Sequence, residues 1–256
     1  MIDRCIKVLG AAAVALSLSA GAAMAAGDAL HPKEVEWHHS GPFGTYDRSQ
    51  VQRGFQVYKE VCAACHGLKY IAYRNLLDIG FSEPQAKAIA AETTVEDGPD
   101  ANGDMYDRPA VLSDRFPSPY ANDNAAKASN GGALPPDLSL IAKARVGGEN
   151  YLYSLLSGYG EEHHGKACPT GTYSNPYFAG GCLAMPAPLS DELIEYVDGT
   201  PATVEQMSKD VAAFLTWAAE PKMEERKRIG FKVILFLVIM TGLLYAAKRR
   251  IWAHLH

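Results

Sequence analysis

The sequence predicts a mainly α fold: one small, loop-rich exported domain carried on a single C-terminal transmembrane helix. Three observations predict it. Residues 47–62 and 203–219 repeat apolar side chains at helical spacing, no period-two alternation persists anywhere, and residues 229–247 (IGFKVILFLVIMTGLLYAA) form a long apolar run whose one charge, Lys232, can snorkel at its edge. At about 1.5 Å per residue that run is long enough to cross a hydrocarbon core of about 30 Å.

The first segment to justify is the N-terminus. Arg4 and Lys7 precede an apolar stretch over residues 8–18 and then small residues ending in Ala23-Met24-Ala25-Ala26, the layout of a secretory signal peptide spanning residues 1–26. The apolar core is short for a membrane span, which argues against an uncleaved anchor. Charge does not orient the C-terminal helix, because Arg226, Lys227 and Arg228 precede it while Lys248, Arg249 and Arg250 follow it. The signal peptide orients it instead. It places residues 27–220 in a bacterial periplasm, 221–228 as a charged joint, 229–247 in the inner (cytoplasmic) membrane and 248–256 as a cytoplasmic tail.

Residues 27–220 hold 26 acidic and 14 basic side chains, a net charge of −12, against −5 for the whole chain. So acidic a domain excludes nucleic acid as a partner and suits either a basic partner or a merely solvated surface. Glu92, Glu96, Asp97, Asp100, Asp104 and Asp107 concentrate that charge in one loop, a candidate docking surface for a basic protein.

Helices follow in order. Val51, Phe55, Tyr58 and Val61 give the first an apolar face, with Asp47 or Ser49 as its cap. Val204, Met207, Val211, Phe214 and Leu215 do the same for the last soluble helix, which Pro221 stops. Gly54 on the first helix lets the two cross closely. Shorter helical candidates lie at 70–77, 83–92, 138–144 and 149–156, between long Gly-, Pro- and Asn-rich connections. Connections of that length count against a compact domain unless they wrap something that completes the core.

Cys62-Ala63-Ala64-Cys65-His66 is the C-x-x-C-H pattern of c-type haem attachment. Two thiols add to the vinyl groups, the spacing matches the vinyl separation, and the adjacent histidine falls under the iron. A thioredoxin-like redox pair or half of a zinc site shares C-x-x-C, but neither requires His66, and no second C-x-x-C or βαβ pattern occurs. For the sixth iron ligand, Met207 lies in the last soluble helix, Met223 at the joint and Met240 in the span, which leaves Met105 and Met185, with His163 and His164 as rivals. The Gly- and Pro-rich loop 180–186 (GGCLAMP) favours Met185 over Met105 in its acidic loop. His/Met ligation closes both axial positions and suits electron transfer rather than oxygen or peroxide chemistry.

Cys5 leaves with the signal peptide, so Cys168 and Cys182 remain after the haem cysteines, in an oxidising compartment. They bracket the approach to Met185, and a bond between them would hold that segment; two free buried thiols are the alternative. Haem propionates need cationic partners, and Arg145 within residues 142–148 (AKARVGG) is a weak candidate by position alone.

Beyond the haem motif, residues 53–58 (RGFQVY), 130–139 (NGGALPPDLS), 175–178 (NPYF), 198–203 (DGTPAT) and 217–221 (WAAEP) resemble the cytochrome c1 family, the haem-carrying subunits of ubiquinol:cytochrome c oxidoreductase (bc1) complexes. The resemblance covers nearly all of the mature chain. It implies a class I cytochrome c-like domain with one covalent haem c on Cys62 and Cys65, and axial iron ligation by His66 and Met185. It also implies that Arg145 and Tyr151 lie near the propionates, and that Asn130, Pro136 and Phe178 line the pocket. As partners it implies cytochrome b, the Rieske iron–sulphur protein, a cytochrome c acceptor and membrane lipid. The chain then has no catalytic residue of its own and is a redox subunit of a respiratory or photosynthetic, proton-translocating enzyme. An independent membrane-anchored monohaem cytochrome c shuttle, an open-iron haem peroxidase and a dithiol oxidoreductase are the alternatives. Many family members lack the cysteine-containing stretch 168–182, so the disulfide rests on compartment and loop logic.

Overall fold

The structure, a computed structural model, describes residues 29–161 and 167–253. The signal peptide, His163, His164 and the last three tail residues lie outside the described residues.

Helix α1, Arg48–Glu60, starts where the Asp47 carboxylate accepts hydrogen bonds from the backbone N–H groups of Ser49 and Gln50 at 2.9 and 3.2 Å. Its buried face is Val51, Gly54, Phe55, Val57 and Tyr58. Helix α6, Val204–Ala219, is capped by Thr203, whose hydroxyl accepts from the Gln206 N–H at 3.1 Å. Met207, Val211, Phe214, Leu215 and Trp217 on α6 are buried, and α1 and α6 cross at Gly54. A Cβ at Gly54 would overlap the Asp210 carbonyl oxygen and stand 2.7 Å from the Phe214 Cβ, so only glycine permits this approach. Phe214 then ties the core together, with ring centroids 5.6 Å from Phe55, 5.6 Å from Tyr58 and 5.7 Å from Trp217.

Between α1 and α6 lie α2 (Glu83–Ala91), α3 (Asp123–Ser129), α4 (Ile141–Ala144) and α5 (Gly148–Ser157). The helix expected at 70–77 is a 3₁₀ segment over Tyr73–Ile79. Side-chain bonds delay it: the Tyr70 N–H donates to Ser139 Oγ at 3.1 Å, and the Ala72 N–H donates to Asn75 Oδ1 at 2.9 Å. The helix expected at 138–144 shortens for a similar reason, since the Leu138 N–H is bound to the Gly67 carbonyl at 2.9 Å and the Ser139 N–H to Asp137 Oδ1 at 3.0 Å. Two small antiparallel hairpins also form where no alternation signals them. Strands β1 (Thr94–Asp97) and β2 (Tyr106–Pro109) pair Thr94 with Pro109 and Asp97 with Tyr106, while β3 (Tyr173–Ser174) and β4 (Cys182–Leu183) pair Ser174 with Cys182. The first is held by Arg108, whose guanidinium bridges Asp97 and Asp114. These pieces remain minor beside the helices, and the fold is mainly α as expected.

Helix α7, Met223–Trp252, reaches a mean hydropathy of 2.2 over 18 residues, none of that window buried, and is long and apolar enough to cross a membrane. The charged segment 221–228 largely forms its first turns. Those turns are fastened to the soluble domain: Glu224 accepts from the Tyr46 N–H and from Arg48, both at 2.7 Å, and Lys227 Nζ donates to the carbonyls of His39 and Gly44 at 2.6 and 3.0 Å.

Candidate functional site

The C-x-x-C-H motif begins one residue past α1, as a 3₁₀ turn over Cys62–Ala64. The Cys62 carbonyl accepts from the N–H groups of both Cys65 (3.1 Å) and His66 (2.9 Å), which folds the motif tightly. Cys62 and Cys65 are free thiols. Burial pushes the Cys62 thiol up to about 12, with Cys65 adding to the effect. A thiol so protonated is the opposite of the low-pKa nucleophile a dithiol oxidoreductase uses. Among the described residues no group of three or more His, Cys, Asp and Glu side chains comes together, so the zinc reading has no geometry there.

His66 Nδ1 lies 2.8 Å from the Pro136 carbonyl oxygen. A carbonyl only accepts, so Nδ1 carries the proton and the Nε2 lone pair is left for a metal. Burial holds the His66 pKa below its ordinary value, with the Pro136 bond opposing it, which favours the neutral, ligating imidazole. The Tyr58 hydroxyl donates to the His66 carbonyl at 3.1 Å, and Asp137 Oδ2 accepts from the Lys69 N–H at 3.0 Å. The motif is thus laced on one side to α1 and on the other to residues 136–139. Two free thiols on one turn, followed by an imidazole locked in the ligating tautomer, fit covalent haem.

The remaining expected residues fall in two further groups. Asn130 is half-buried and donates through Nδ2 to the Ala126 carbonyl at 2.7 Å and to the Tyr120 hydroxyl at 3.0 Å, fixing the loop that leads to Pro136. Arg145 is exposed just past α4. Tyr151 on α5 neighbours it: burial raises the Tyr151 pKa and the Arg145 cation works against that rise.

Met185 is half-buried in a loop anchored to α5. Buried Asn175 donates to the Leu155 carbonyl at 2.8 Å, its N–H bonds the Gly181 carbonyl at 2.9 Å, and the half-buried Phe178 N–H closes on the Asn175 carbonyl at 3.2 Å. Cys168 and Cys182 form a disulfide with Cα atoms 5.6 Å apart, beside the β3–β4 pair. The Tyr159 hydroxyl donates to the Met185 carbonyl at 2.8 Å. Met105, the other methionine the sequence leaves open, is 54% exposed beside β2.

The acidic loop is the β1–β2 hairpin, and its charges are not equivalent. Asp97 pairs with Arg108, Glu92 pairs with Lys59 at 2.6 Å, and Asp100 accepts from the N–H groups of Asn102 and Asp104 at 2.8 and 3.0 Å. Glu96 and Asp107 stand opposite each other across the pair, and Asp104 is exposed at the turn.

Sequence reasoning missed Tyr58, Asp137 and Tyr159. A tyrosine hydroxyl or carboxylate that holds a backbone group across the fold has no periodicity or spacing to announce it. Flanking Gly158 and Gly160 mark a turn at Tyr159 and say nothing about its partner.

The Cytochrome C1 family model matches residues 37–255. Cytochrome c1 of Rhodospirillum rubrum is 50% identical over 264 residues, covering 96% of each chain. The cytochrome b-c1 complex catalytic subunit of Candida albicans is 49% identical, over 92% of this chain and 82% of its own. Cytochrome b/c1 of Bradyrhizobium diazoefficiens is 48% identical over 88% of this chain but only 36% of its own length. A locked His66 behind two free thiols, an anchored Met185 loop and an apolar C-terminal helix thus accompany a match over nearly the whole sequence: the chain belongs to the cytochrome c1 family.

Proposed function

We propose that the chain is the electron-transfer subunit of a bc1-type complex, taking electrons from a Rieske iron–sulphur protein and passing them to a cytochrome c. One haem c would be bound through Cys62 and Cys65, with His66 and Met185 as axial ligands. The haem supplies the one-electron couple; the chain's own residues set its position and surroundings.

In this reading Pro136 would hold His66 in the tautomer that offers Nε2 as a ligand, and Met185 would be the second ligand, a pair that suits electron transfer rather than oxygen or peroxide chemistry. Arg145, with Tyr151 beside it, supplies the cation and hydroxyl that propionates require. Asn130 and Phe178 line the pocket. Membership of a bc1 complex is supported by its relatives, one of them a cytochrome b/c1 and another a b-c1 complex subunit; such a complex would be a proton-translocating ubiquinol:cytochrome c oxidoreductase. A periplasmic haem domain is the reading that the N-terminal export pattern and helix α7, the one helix among the described residues long and apolar enough to cross a membrane, support. Glu96, Asp104 and Asp107, which have no ion-pair partner among the described residues, make the β1–β2 hairpin the surface that would meet a basic acceptor.

The observation that carries the reading is the Nδ1 bond from His66 to the Pro136 carbonyl directly after two unpaired cysteines. Met185→Leu in the detergent-purified full chain tests it. The c-type haemochrome spectrum should persist while the midpoint potential falls sharply; an unchanged potential would remove Met185 from the iron. Co-purification with b-type haem and an iron–sulphur signal separates the complex subunit from an independent shuttle.

A further inference from the structure

We infer that Tyr159 is a positioning residue for the sixth iron ligand: its hydroxyl clamps the backbone of Met185 to the end of helix α5 and thereby holds the methionine–iron bond closed. The inference rests on the reading of Met185 as that ligand.

Met185 precedes Pro186, so no backbone N–H follows it to join a turn or strand. Strand β4 ends at Leu183, and the disulfide reaches only Cys182. The ligand residue therefore lies beyond both the strand pairing and the covalent link. Among the described residues, the hydrogen bond that ties the Met185 backbone to a helix end comes from the Tyr159 hydroxyl, which donates to the Met185 carbonyl at 2.8 Å from two residues past α5.

Tyr159 is itself well fixed. It is half-buried, and Gly158 before it lies against the Tyr177 ring, where an added Cβ would stand 2.5 Å from Cδ2. Glu161, two residues on, accepts from Lys33 at 2.7 Å and from the Tyr177 hydroxyl at 3.1 Å, while Lys33 donates again to Ser157 on α5. Loop and tyrosine are thus bolted to the same helix end, Asn175 through the Leu155 carbonyl and Tyr159 through its own chain position.

Methionine is a weak iron ligand that swings away when its loop opens, and an added base then takes its place. Losing one neutral hydrogen bond should favour the opened loop by roughly 2- to 10-fold. The test is imidazole titration of the oxidised, detergent-purified full-length holoprotein, followed by loss of the near-infrared charge-transfer band of the methionine–iron bond. Tyr159→Phe should bind imidazole roughly 2- to 10-fold more tightly than the unaltered protein. Tyr73→Phe, which removes a hydroxyl that donates to Thr93 at 2.8 Å and lies outside this network, should titrate like the unaltered protein. Tyr159→Leu removes the same donor should the phenylalanine form not accumulate as holoprotein. Unchanged affinity in the Tyr159 variants, or an equal rise in Tyr73→Phe, overturns the clamp while leaving the ligand reading intact. Persistence of the charge-transfer band in Met185→Leu overturns the ligand reading itself, and the clamp with it.

Discussion

Gly54→Ala is the sharpest test of how the two long soluble helices support the haem motif. The added Cβ would stand 2.7 Å from the Phe214 Cβ and overlap the Asp210 carbonyl oxygen. Carbon atoms rest at about 3.5–4.0 Å, so α1 and α6 must separate by about 1 Å along their crossing. That separation loosens Phe214 from Phe55 and Tyr58, whose ring centroids are both 5.6 Å away. Overpacking of this kind costs about 1–3 kcal/mol, more where backbone is struck, while the alanine recovers about 1 kcal/mol of helix propensity over glycine. The net expected loss is about 2 kcal/mol, or a fall in Tm of roughly 4–8 °C for a domain of this size. Thermal unfolding of the haem-loaded full chain in detergent, followed in the Soret band, measures it. A variant that melts at or above the original temperature would refute the argument that the crossing requires glycine.

Asp210 is fully buried and accepts from Arg53 Nε at 2.8 Å and from Gln206 at 2.9 Å, so Asp210→Ala should destabilise by about 3 kcal/mol in a denaturant titration. The double variant Arg53→Met, Asp210→Leu should recover part of that loss, because no unpaired cation remains. Asp198 is held down to about 2, first by the Thr200 N–H and then by Arg53. A carboxylate depressed in the fold adds stability above its unfolded pKa, near 4, and loses it as pH falls toward about 2. Asp198→Asn should therefore lower stability at neutral pH, flatten its fall over that acid window and change little below it. Neutralising Glu96, Asp104 and Asp107 together should weaken the ionic-strength dependence of electron transfer to a basic cytochrome c, read by stopped-flow; an intact salt dependence would make the hairpin ordinary solvated surface.

How much was legible depended on the range of the interaction. The α1 and α6 faces, the Asp47 and Thr203 ends and the Gly54 crossing were readable because period and capping are local properties of the chain. C-x-x-C-H was readable for the same reason, since covalent spacing is written in sequence. The 3₁₀ segment at Tyr73–Ile79 and the short α4 were not, because Ser139, Asp137 and Asn75 take backbone groups that a helix would otherwise use. The hairpin at Arg108 was hidden likewise: its stabilisation comes from Asp97 and Asp114 rather than from alternating burial. The tautomer of His66 depends on Pro136, which is 70 positions away, and no local pattern reaches that far.

The fastening of α7 has a mechanical consequence. Glu224 and Lys227 grip Tyr46, Arg48, His39 and Gly44 within the first turns of the helix, so there is no free hinge between the soluble domain and its anchor. Under the proposed function, a haem mounted this way would be a fixed terminal at a constant distance from its anchor, and any gap too wide for electron tunnelling would be left to its partners to close.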